Sequence, residues 1–263
     1  MTSVVIGLAI LSLTIISREK ISSGIAGKSR LRRGRLLDLI YWFFTALITK
    51  SIARITMIVT LAPLLWLTGA GSFEALLKGR GPLGRQPPLL QAAQMLIVID
   101  FVGYWLHRAF HGAKLWGFHA IHHSSTELDW LSAARVHPVN DIVNKTMQAM
   151  VVVALGYAPA LLAGALPFFT AYAIFLHANV SWNFGPLRAV LASPRFHRWH
   201  HTSAEEGRDK NFAGLLPLWD ILFGTYYMPQ AQPLRFGVSE KIPGNLLSQL
   251  IWPFKSGRIN SVQ

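Results

Sequence analysis

The feature that most restricts the fold is an uncharged apolar stretch of 29 residues, 147–175, "MQAMVVVALGYAPALLAGALPFFTAYAIF". A helix of this length would measure roughly 43 Å, which exceeds the ~30 Å hydrocarbon core of a bilayer. Pro159, Gly164 and Pro167 are potential breaks, so hydropathy alone leaves open a single tilted span or a hairpin of two short spans. In either case the stretch predicts helices within a membrane.

Three further apolar segments predict additional spans, and they cover residues 1–17, 52–69 and 89–106. Residues 36–50 precede the second of them and predict either an aromatic-rich interfacial helix or the start of a helix. Only 14% of the residues are charged, against about a quarter in a soluble domain. We expect an all-α integral membrane domain with about 4–5 spans, in which residues 1–17 form a retained span because they lack the basic start of a cleaved signal peptide.

The distribution of positive charge predicts how the helices are oriented. The net charge is +13, and the Lys and Arg residues flank apolar segments instead of forming one stripe. This pattern is typical of membrane proteins and not of nucleic-acid-binding proteins. The strongly basic segment 18–35 therefore predicts a cytoplasmic loop. The chain contains no cysteine, so a metal ion would have to be held by His, Asp or Glu side chains.

Eight of the ten histidines fall into three short groups. The groups are "HRAFH" (His107 and His111), "HAIHH" (His119, His122 and His123) and "HRWHH" (His197, His200 and His201). Residues at i, i+3 and i+4 share one face of a helix, so each group projects its imidazoles to one side. Clustered imidazoles repel one another when protonated and need hydrogen-bond partners when neutral and buried. A bound metal removes both problems, and neutral imidazole suits iron, zinc, copper and nickel.

The number and position of these histidines lead to two further predictions. Eight or nine rings exceed the four ligands of a structural zinc site, whereas two ions with about four or five nitrogens each match the count. His107 directly follows the span that ends at Leu106, so the other groups must lie on the same side of the bilayer. The stretch 147–175 must then cross an even number of times, which predicts a hairpin with legs at about 145–161 and 165–181.

Over residues 93–228 the chain resembles the fatty acid hydroxylase/sterol desaturase superfamily, a group of membrane-bound di-iron oxygenases. The motifs that carry the resemblance are "DFVGYWLHRAFH", "LWGFHAIHHSS", "RVHPVND", "HANVSW", "SPRFHRWHH" and "DKNFAGLLPLWDILFGTYY". The resemblance implies a helical membrane stem with a cytosolic His-rich cap, two iron ions in the cap and O2 as co-substrate, with zinc as a substitute metal in preparations. Together with the hydropathy and charge of the remaining chain, it predicts N-terminal spans and a basic cytosolic loop in residues 1–88, a catalytic domain in residues 89–228 and a C-terminal tail in residues 229–263.

The resemblance further implies which residues bind the metals. The implied ligands are His107, His111, His119, His122, His123, His177, His197, His200 and His201. Asp100 is a candidate to support them, because it lies seven and eleven residues before His107 and His111 on the same helical face, although it could instead pair with an Arg or Lys. His137, which precedes Pro138, could be a ligand, a supporting residue or a turn residue. Further candidate partners of the ligands are Glu127, Asp141, Asp209 and Asp220.

The implied reaction is O2-dependent hydroxylation or desaturation of a lipid C–H bond, with hydroxylation favoured. The substrate would be a sterol- or hopanoid-like lipid, an acyl chain, a carotenoid or an ether lipid that enters from the bilayer. Electrons would come from a separate donor of the cytochrome b5, ferredoxin or reductase type. Four arginines beside the histidine groups could anchor the cap to anionic headgroups, dock a reductase or simply be solvated: Arg108, Arg135, Arg195 and Arg198.

Other classes of function agree less well with these residues. A haem-binding electron carrier needs single histidines on facing spans, whereas these histidines cluster outside the predicted spans. A metal transporter or a non-enzymatic metal binder with ligands near the middle of the spans would have only Asp100 there. Hydrolysis by a metal-activated water lacks a recognisable general-base motif.

Overall fold

The computed structural model describes residues 28–67, 72, 74 and 78–255. Within these residues the regular structure is helical, and extended chain is paired only by a single antiparallel bridge between Thr202 and Phe236. The predicted all-α class is confirmed. The predicted span at residues 1–17 lies outside the described residues.

The α-helices are numbered here in chain order among the described residues. They are α1 (Lys28–Phe44), α2 (Lys50–Leu67), α3 (Gly81–Gly84), α4 (Pro88–Phe110), α5 (Trp116–His123), α6 (Pro138–Leu155), α7 (Pro159–His177), α8 (Pro194–His200), α9 (Leu218–Leu222) and α10 (Leu246–Lys255). A π-helical turn joins α1 to α2, and three 3₁₀ turns complete the helical structure: Thr45–Thr49 (π), Trp130–Ala134, Gly185–Ala189 and Glu205–Gly207.

Three helical segments are long and apolar enough to cross a membrane, and they are Gly34–Pro63, Pro88–Phe110 and Pro159–His177. The second agrees with the predicted span at 89–106. In the first, residues 36–50 and the span after them form one continuous helix, which agrees with the second of the two alternatives for these residues. Between Leu36 and Ala62 the chain has no Gly or Pro to end a helix, and the irregularity is confined to the π-helical turn. The helix also starts at Lys28, within the segment that we predicted to be a loop.

The predicted hairpin is present, but its turn lies earlier than expected. The chain turns at Gly156–Ala158, between α6 and α7, while Gly164 and Pro167 lie inside α7. Gly156 caps α6 with φ +87°, and a Cβ there would lie 2.5 Å from the carbonyl oxygen of Arg80, so this position requires glycine. Pro159 then starts α7 at a position where no backbone N–H is needed. Of the two legs, only α7 is among the three segments long and apolar enough to cross.

Three apolar clusters hold these helices together. One packs α2, α4 and α6 near the hairpin turn around Leu61, Met95 and Val152. A second surrounds the buried Tyr104 and Phe196 at the opposite end of α4, where α7 and α8 also meet. The third joins α1, α5 and α10 around Tyr41. The C-terminal ends of α4 and α7 consequently lie close to α5 and α8, and this arrangement positions the histidines.

Candidate metal centre

The nine histidines predicted as ligands converge at one end of the helices. His107 and His111 lie at the C-terminal end of α4, and His177 is the last residue of α7. The remaining six lie on or directly after the short helices α5 and α8. The C-terminal ends of both α4 and α7 carry histidines of this site. The start of α6 and the end of α7 therefore lie at the same end of the helices, as the hairpin prediction required.

The histidines divide into two clusters, and within each cluster the ligand nitrogens all lie within 4.8 Å of one another. The five-histidine cluster comprises His107, His111, His119, His123 and His200. The four-histidine cluster comprises His122, His177, His197 and His201. The histidine pairs at i and i+4 each lie within one cluster, and they are His107/His111, His119/His123 and His197/His201. His122 and His200 instead lie in the cluster opposite to that of the other histidines on their helices. These are two groups that could hold metal ions, built entirely from imidazole.

The inner ring nitrogens point at one another. In the five-histidine cluster, the Nε2 atoms of His107 and His119 are 3.0 Å apart. In the four-histidine cluster, the Nε2 atom of His197 lies 3.2 Å from that of His177 and 3.1 Å from that of His201. Three more inner nitrogens are buried with no hydrogen-bond partner, and they are the Nε2 atoms of His111, His123 and His200. Buried polar atoms are rarely left without a partner, so this convergence fits a shared cation at each centre.

Six of the nine outer nitrogens, in contrast, have hydrogen-bond partners, whereas Nδ1 of His197 is buried without one. Six rings donate a hydrogen bond from Nδ1–H to an oxygen atom, and such a bond fixes the tautomer that leaves the Nε2 lone pair facing inward. The acceptors are Phe212 O for His107 (2.7 Å), Asp209 Oδ1 for His111 (2.9 Å), Asn140 Oδ1 for His119 (2.8 Å), Arg135 O for His122 (3.2 Å), Ala173 O for His177 (2.7 Å) and Lys210 O for His200 (2.8 Å).

Burial keeps these rings neutral. It lowers the pKa of the ring well below the ordinary histidine value, and repulsion from neighbouring histidines lowers the pKa further, at His119, His122, His123, His197, His200 and His201. Burial also lowers the pKa of His111, although the hydrogen bond to Asp209 opposes this shift. Neutral imidazole is the form that binds metals, so the rings do not have to lose protons before they coordinate.

The two clusters are adjacent compartments of one centre. The rings of His123 and His201, one from each cluster, stack with their centroids 4.3 Å apart. The rings of His197 and His200 are 5.4 Å apart. All members of the four-histidine cluster are buried, whereas His107 and His111 of the other cluster are only partly buried.

Of the carboxylates considered as partners of the ligands, Asp209 is the one that contacts a histidine directly. Its backbone has φ +54°, a conformation that Asp and Asn tolerate better than most residues, and its side chain is 59% exposed. Asp220 supports His107 indirectly. Its carboxylate accepts hydrogen bonds from the backbone N–H groups of Phe212 and Ala213, and the carbonyl of Phe212 accepts the hydrogen bond from His107. Asp141 instead pairs with Lys145.

Asp100 and His137 do not contact the clusters in the way the sequence suggested. The Asp100 carboxylate accepts hydrogen bonds from the N–H groups of Leu215 and Leu216 and from the indole of Trp219, so it fixes the segment before α9. His137 lies outside both clusters. Its Nδ1 accepts from the N–H of Val139 at the start of α6, and its Nε2 donates to Leu250 O in α10. Of the three roles left open for His137, this geometry is that of a turn residue.

The sequence analysis missed several supporting groups. Asn140 binds the Nδ1–H of His119, and its position within "RVHPVND" was the available signal. The backbone carbonyls that hold four other rings carry no signature in the sequence. Two of the flanking arginines also have internal roles. Arg135 is buried and pairs with Asp38 at 2.6 Å, and Arg198 is buried with a hydrogen bond to the carbonyl of Leu128.

Comparison with known proteins identifies the family. The fatty acid hydroxylase family model matches residues 92–225. The ornithine lipid hydroxylase OlsE of Rhizobium tropici is 33% identical over 183 residues, which is 65% of this chain and 53% of that protein. The alkylglycerol monooxygenase of Homo sapiens is 35% identical over 129 residues, covering 49% of this chain and 28% of that protein. A very-long-chain aldehyde decarbonylase of Oryza sativa is 28% identical over 140 residues, covering 48% and 21%.

The chain thus spans about half the length of the first of these relatives and less of the others. No solved structure matches it. The family model nevertheless covers just over half of the chain and includes all nine clustered histidines. The chain therefore belongs to the fatty acid hydroxylase family.

Proposed function

We propose that this protein is a membrane-bound oxidoreductase that hydroxylates a C–H bond of a lipid, using O2, two iron ions and electrons from a separate donor protein. The observation that carries the proposal is the meeting of nine histidines in two adjacent clusters with their inner nitrogens turned toward one another. The overall reaction is R–H + O2 + 2 e⁻ + 2 H⁺ → R–OH + H2O. The electron donor would be of the cytochrome b5, ferredoxin or reductase type.

The residues present fit two metal ions. The five-histidine and four-histidine clusters each offer enough nitrogens for one ion, and six outer hydrogen bonds orient the rings. Imidazole ligation accommodates iron and zinc alike, but zinc does not change its oxidation state. Iron held by these rings would supply the redox chemistry that O2 reduction requires. Zinc found in a preparation would therefore represent a substituted metal.

The chain itself supplies the orientation of the site and the exclusion of water. The buried four-histidine cluster lies behind α5, α7 and α8, which keeps water from one side of the centre. The carbonyl of Arg135 and the amide of Asn140 hold His122 and His119 from outside. Because these acceptors are themselves anchored by tertiary contacts, the rings keep their positions without rearrangement during turnover.

A lipid substrate is supported by the membrane helices and by the names of the relatives. An apolar groove of about 370 Å³ lies between α4 and α7, lined by Ala92, Ala160, Gly164, Phe168 and their neighbours. The groove lies along the first half of both helices, whose C-terminal ends carry His107 and His177, so a hydrocarbon chain that continued from the groove along these helices would approach the centre. The relatives are named as a hydroxylase of ornithine lipids and a monooxygenase of alkylglycerols, which favours hydroxylation of a lipid over desaturation.

The proposed orientation places the centre on the cytoplasmic side. Arg35, at the end of the basic segment, pairs with Asp129 at 3.4 Å, and Asp129 lies in the segment between α5 and α6. The end of the basic segment at Arg35 and the clusters are therefore at the same end of the helices. Positive charge next to membrane spans is retained preferentially in the cytoplasm.

The test is lipid mass spectrometry of cells supplied with ¹⁸O2, with the wild-type chain compared with His122→Ala. We expect one lipid class to gain a single labelled oxygen only with the wild type, and the purified wild type to contain iron. Loss of two hydrogens without added oxygen would show desaturation and contradict hydroxylation. Normal product formation by His122→Ala, or an active preparation without a transition metal, would contradict the metal site itself.

A further inference from the structure

A second polar site lies outside the histidine clusters, near the end of α7. It is a cavity of about 300 Å³ lined by Asn183, Arg188, Arg195, Met228, Pro229 and Gln230. The lining includes two arginines, an asparagine and a glutamine, and none of the lining residues is acidic. The cavity therefore has a positive charge without an internal counter-charge, which is the condition for binding an anion.

The guanidinium of Arg195 is held rigidly beside the cavity. One of its terminal nitrogens donates to Gln230 O at 2.9 Å and the other donates to Ser181 O at 3.3 Å. A guanidinium has about five N–H donors, so three remain after these two bonds. One of the remaining donors, on Nε, is buried without a partner. Arg195 is thus oriented in advance and still has donors to offer.

Arg188 provides the second positive charge. It lies in the 3₁₀ turn Gly185–Ala189, it is exposed, and it makes no hydrogen bond or ion pair with any residue in the described part of the chain. Two like charges around one cavity repel each other unless an anion lies between them. A phosphate group can accept hydrogen bonds from both guanidiniums, and arginine is well suited to phosphate because of its planar fork.

The surroundings of the cavity indicate that the phosphate belongs to a lipid. The segment begins a few residues after α7, one of the three helices apolar enough to cross a membrane. Trp182, Leu187 and Val190 are large apolar residues of this segment, and all three are exposed. Tryptophan and arginine together are typical of the level of the lipid headgroups.

We propose that this cavity binds the headgroup phosphate of an anionic phospholipid. With about 3.6 residues per turn, Arg195 and His197 project roughly 200° apart around α8, so the guanidinium points away from the histidine clusters. The headgroup site is accordingly directed away from the metal centre. The bound lipid links the segment after α7, the start of α8 and the chain around Gln230 to the bilayer surface.

The experiment measures lipid retention by the purified full-length chain in native mass spectrometry, with phosphatidylglycerol or phosphatidylcholine added to the detergent. We expect the wild type to retain phosphatidylglycerol preferentially, and Arg188→Gln to weaken this retention about tenfold, the loss expected for one charge-assisted hydrogen bond. Arg188 makes no internal bond, so its replacement leaves the fold intact. Arg208→Gln removes an equally exposed charge elsewhere and is the matched control, expected to retain the lipid as the wild type does.

Three results would overturn the proposal. They are equal retention of the two lipids, equal retention by the Arg188→Gln and Arg208→Gln variants, and displacement of the lipid by inorganic phosphate at the same concentration. The last would show a site for free phosphate. Arg195→Lys, which keeps the charge but removes the fork, is expected to weaken retention while the melting temperature shows whether the chain remains folded. Because retention requires neither turnover nor a bound metal, a negative result here leaves the proposed oxygenase function untouched.

Discussion

The five-histidine and four-histidine clusters receive their support from different parts of the chain. In the five-histidine cluster, His107 and His111 bond to Phe212 and Asp209, about a hundred residues later in the chain, while His200 bonds to Lys210, ten residues later. In the four-histidine cluster, His177 bonds to a carbonyl of its own helix, four residues earlier. The first cluster is therefore assembled by long-range contacts, while part of the second is built into α7.

The clusters also differ in their exposure. Asp209 connects the partly buried His111 to solvent, whereas all four rings of the other cluster are buried. A metal ion bound by more histidines, two of them only partly buried, will exchange with solvent faster than an ion bound by fewer histidines that are all buried. The comparison leads us to expect that the two metal ions differ in exchange rate, with the five-histidine cluster being the more labile.

The largest expected effect comes from removing one ligand from each cluster. We expect both His197→Ala and His200→Ala to abolish product formation. His197→Ala leaves three histidines in its cluster and should lose close to one ion per chain, while His200→Ala leaves four and should retain more metal. Metal content is measured by elemental mass spectrometry of purified protein. His137→Asn, outside both clusters and still able to cap α6, is the control and should keep both ions. A greater metal loss in His200→Ala would contradict the argument from the number of ligands that remain in each cluster.

The next largest effect concerns the buried ion pair beneath the four-histidine cluster. Asp38→Ala leaves the Arg135 guanidinium buried without its counter-ion, and breaking such a pair costs about 3–5 kcal/mol of unfolding free energy. His122 should lose orientation as well, because its Nδ1 bonds to Arg135 O. Denaturant titration in detergent measures the change. Asp141→Ala breaks the more exposed pair with Lys145 and should cost less than about 1 kcal/mol. Equal losses of unfolding free energy in the two variants would show that the buried pair stabilises the chain no more than the exposed pair does.

Asp209→Asn tests the exposed edge of the five-histidine cluster. It removes the negative charge but keeps a residue that tolerates the positive φ, so the backbone should not change. We expect the affinity of this cluster for its metal to fall about tenfold, the lower end of the effect of outer hydrogen-bond partners. Competition with a chromogenic chelator measures the affinity. Glu205→Gln removes a neighbouring exposed carboxylate and should have no effect. If both clusters weakened equally, the assignment of Asp209 to one of them would be wrong.

The smallest expected effect is kinetic. Exposure of the metal-loaded protein to excess chelator should release metal in two phases, with the five-histidine cluster emptying first. Asp209→Asn should accelerate only the fast phase, by a few fold, because the buried cluster does not contact this side chain. Release is followed by the absorbance of the chelator complex. A single phase that the substitution does not alter would mean that the clusters exchange as one unit.

Much of the candidate site could be predicted from the sequence, because the information is local. The i, i+3 and i+4 spacing places histidines on one helical face wherever a helix forms, and the apolar segments must be helical in a bilayer. The groups that support the rings were harder to predict. Asn140 is one of several polar residues in its motif, and a carbonyl such as that of Phe212 is present in every residue of every protein.

The boundaries of the helices were predicted less accurately than the helices themselves. The sequence offered Pro159, Gly164 and Pro167 as breaks and predicted the turn of the hairpin between residues 161 and 165, yet Gly164 and Pro167 lie inside α7. The turn at Gly156 is decided by close contact with the backbone of Arg80, 76 residues earlier in the chain. Such a contact between distant segments has no counterpart in local periodicity.

The order of the amino acids was enough to predict that the chain is helical and membrane-associated and that its histidines face a common site. The rise and rotation per residue of a helix are fixed, so the relative positions of side chains on one helix can be predicted from the order of the amino acids. The three-dimensional structure was needed to show that His122 and His200 each lie in the cluster opposite to that of their helical neighbours. It was also needed to show that the Asp38–Arg135 pair lies beneath the four-histidine cluster. The rotation of one helix against another depends on packing between residues far apart in the chain, and this packing exists only after the helices have met.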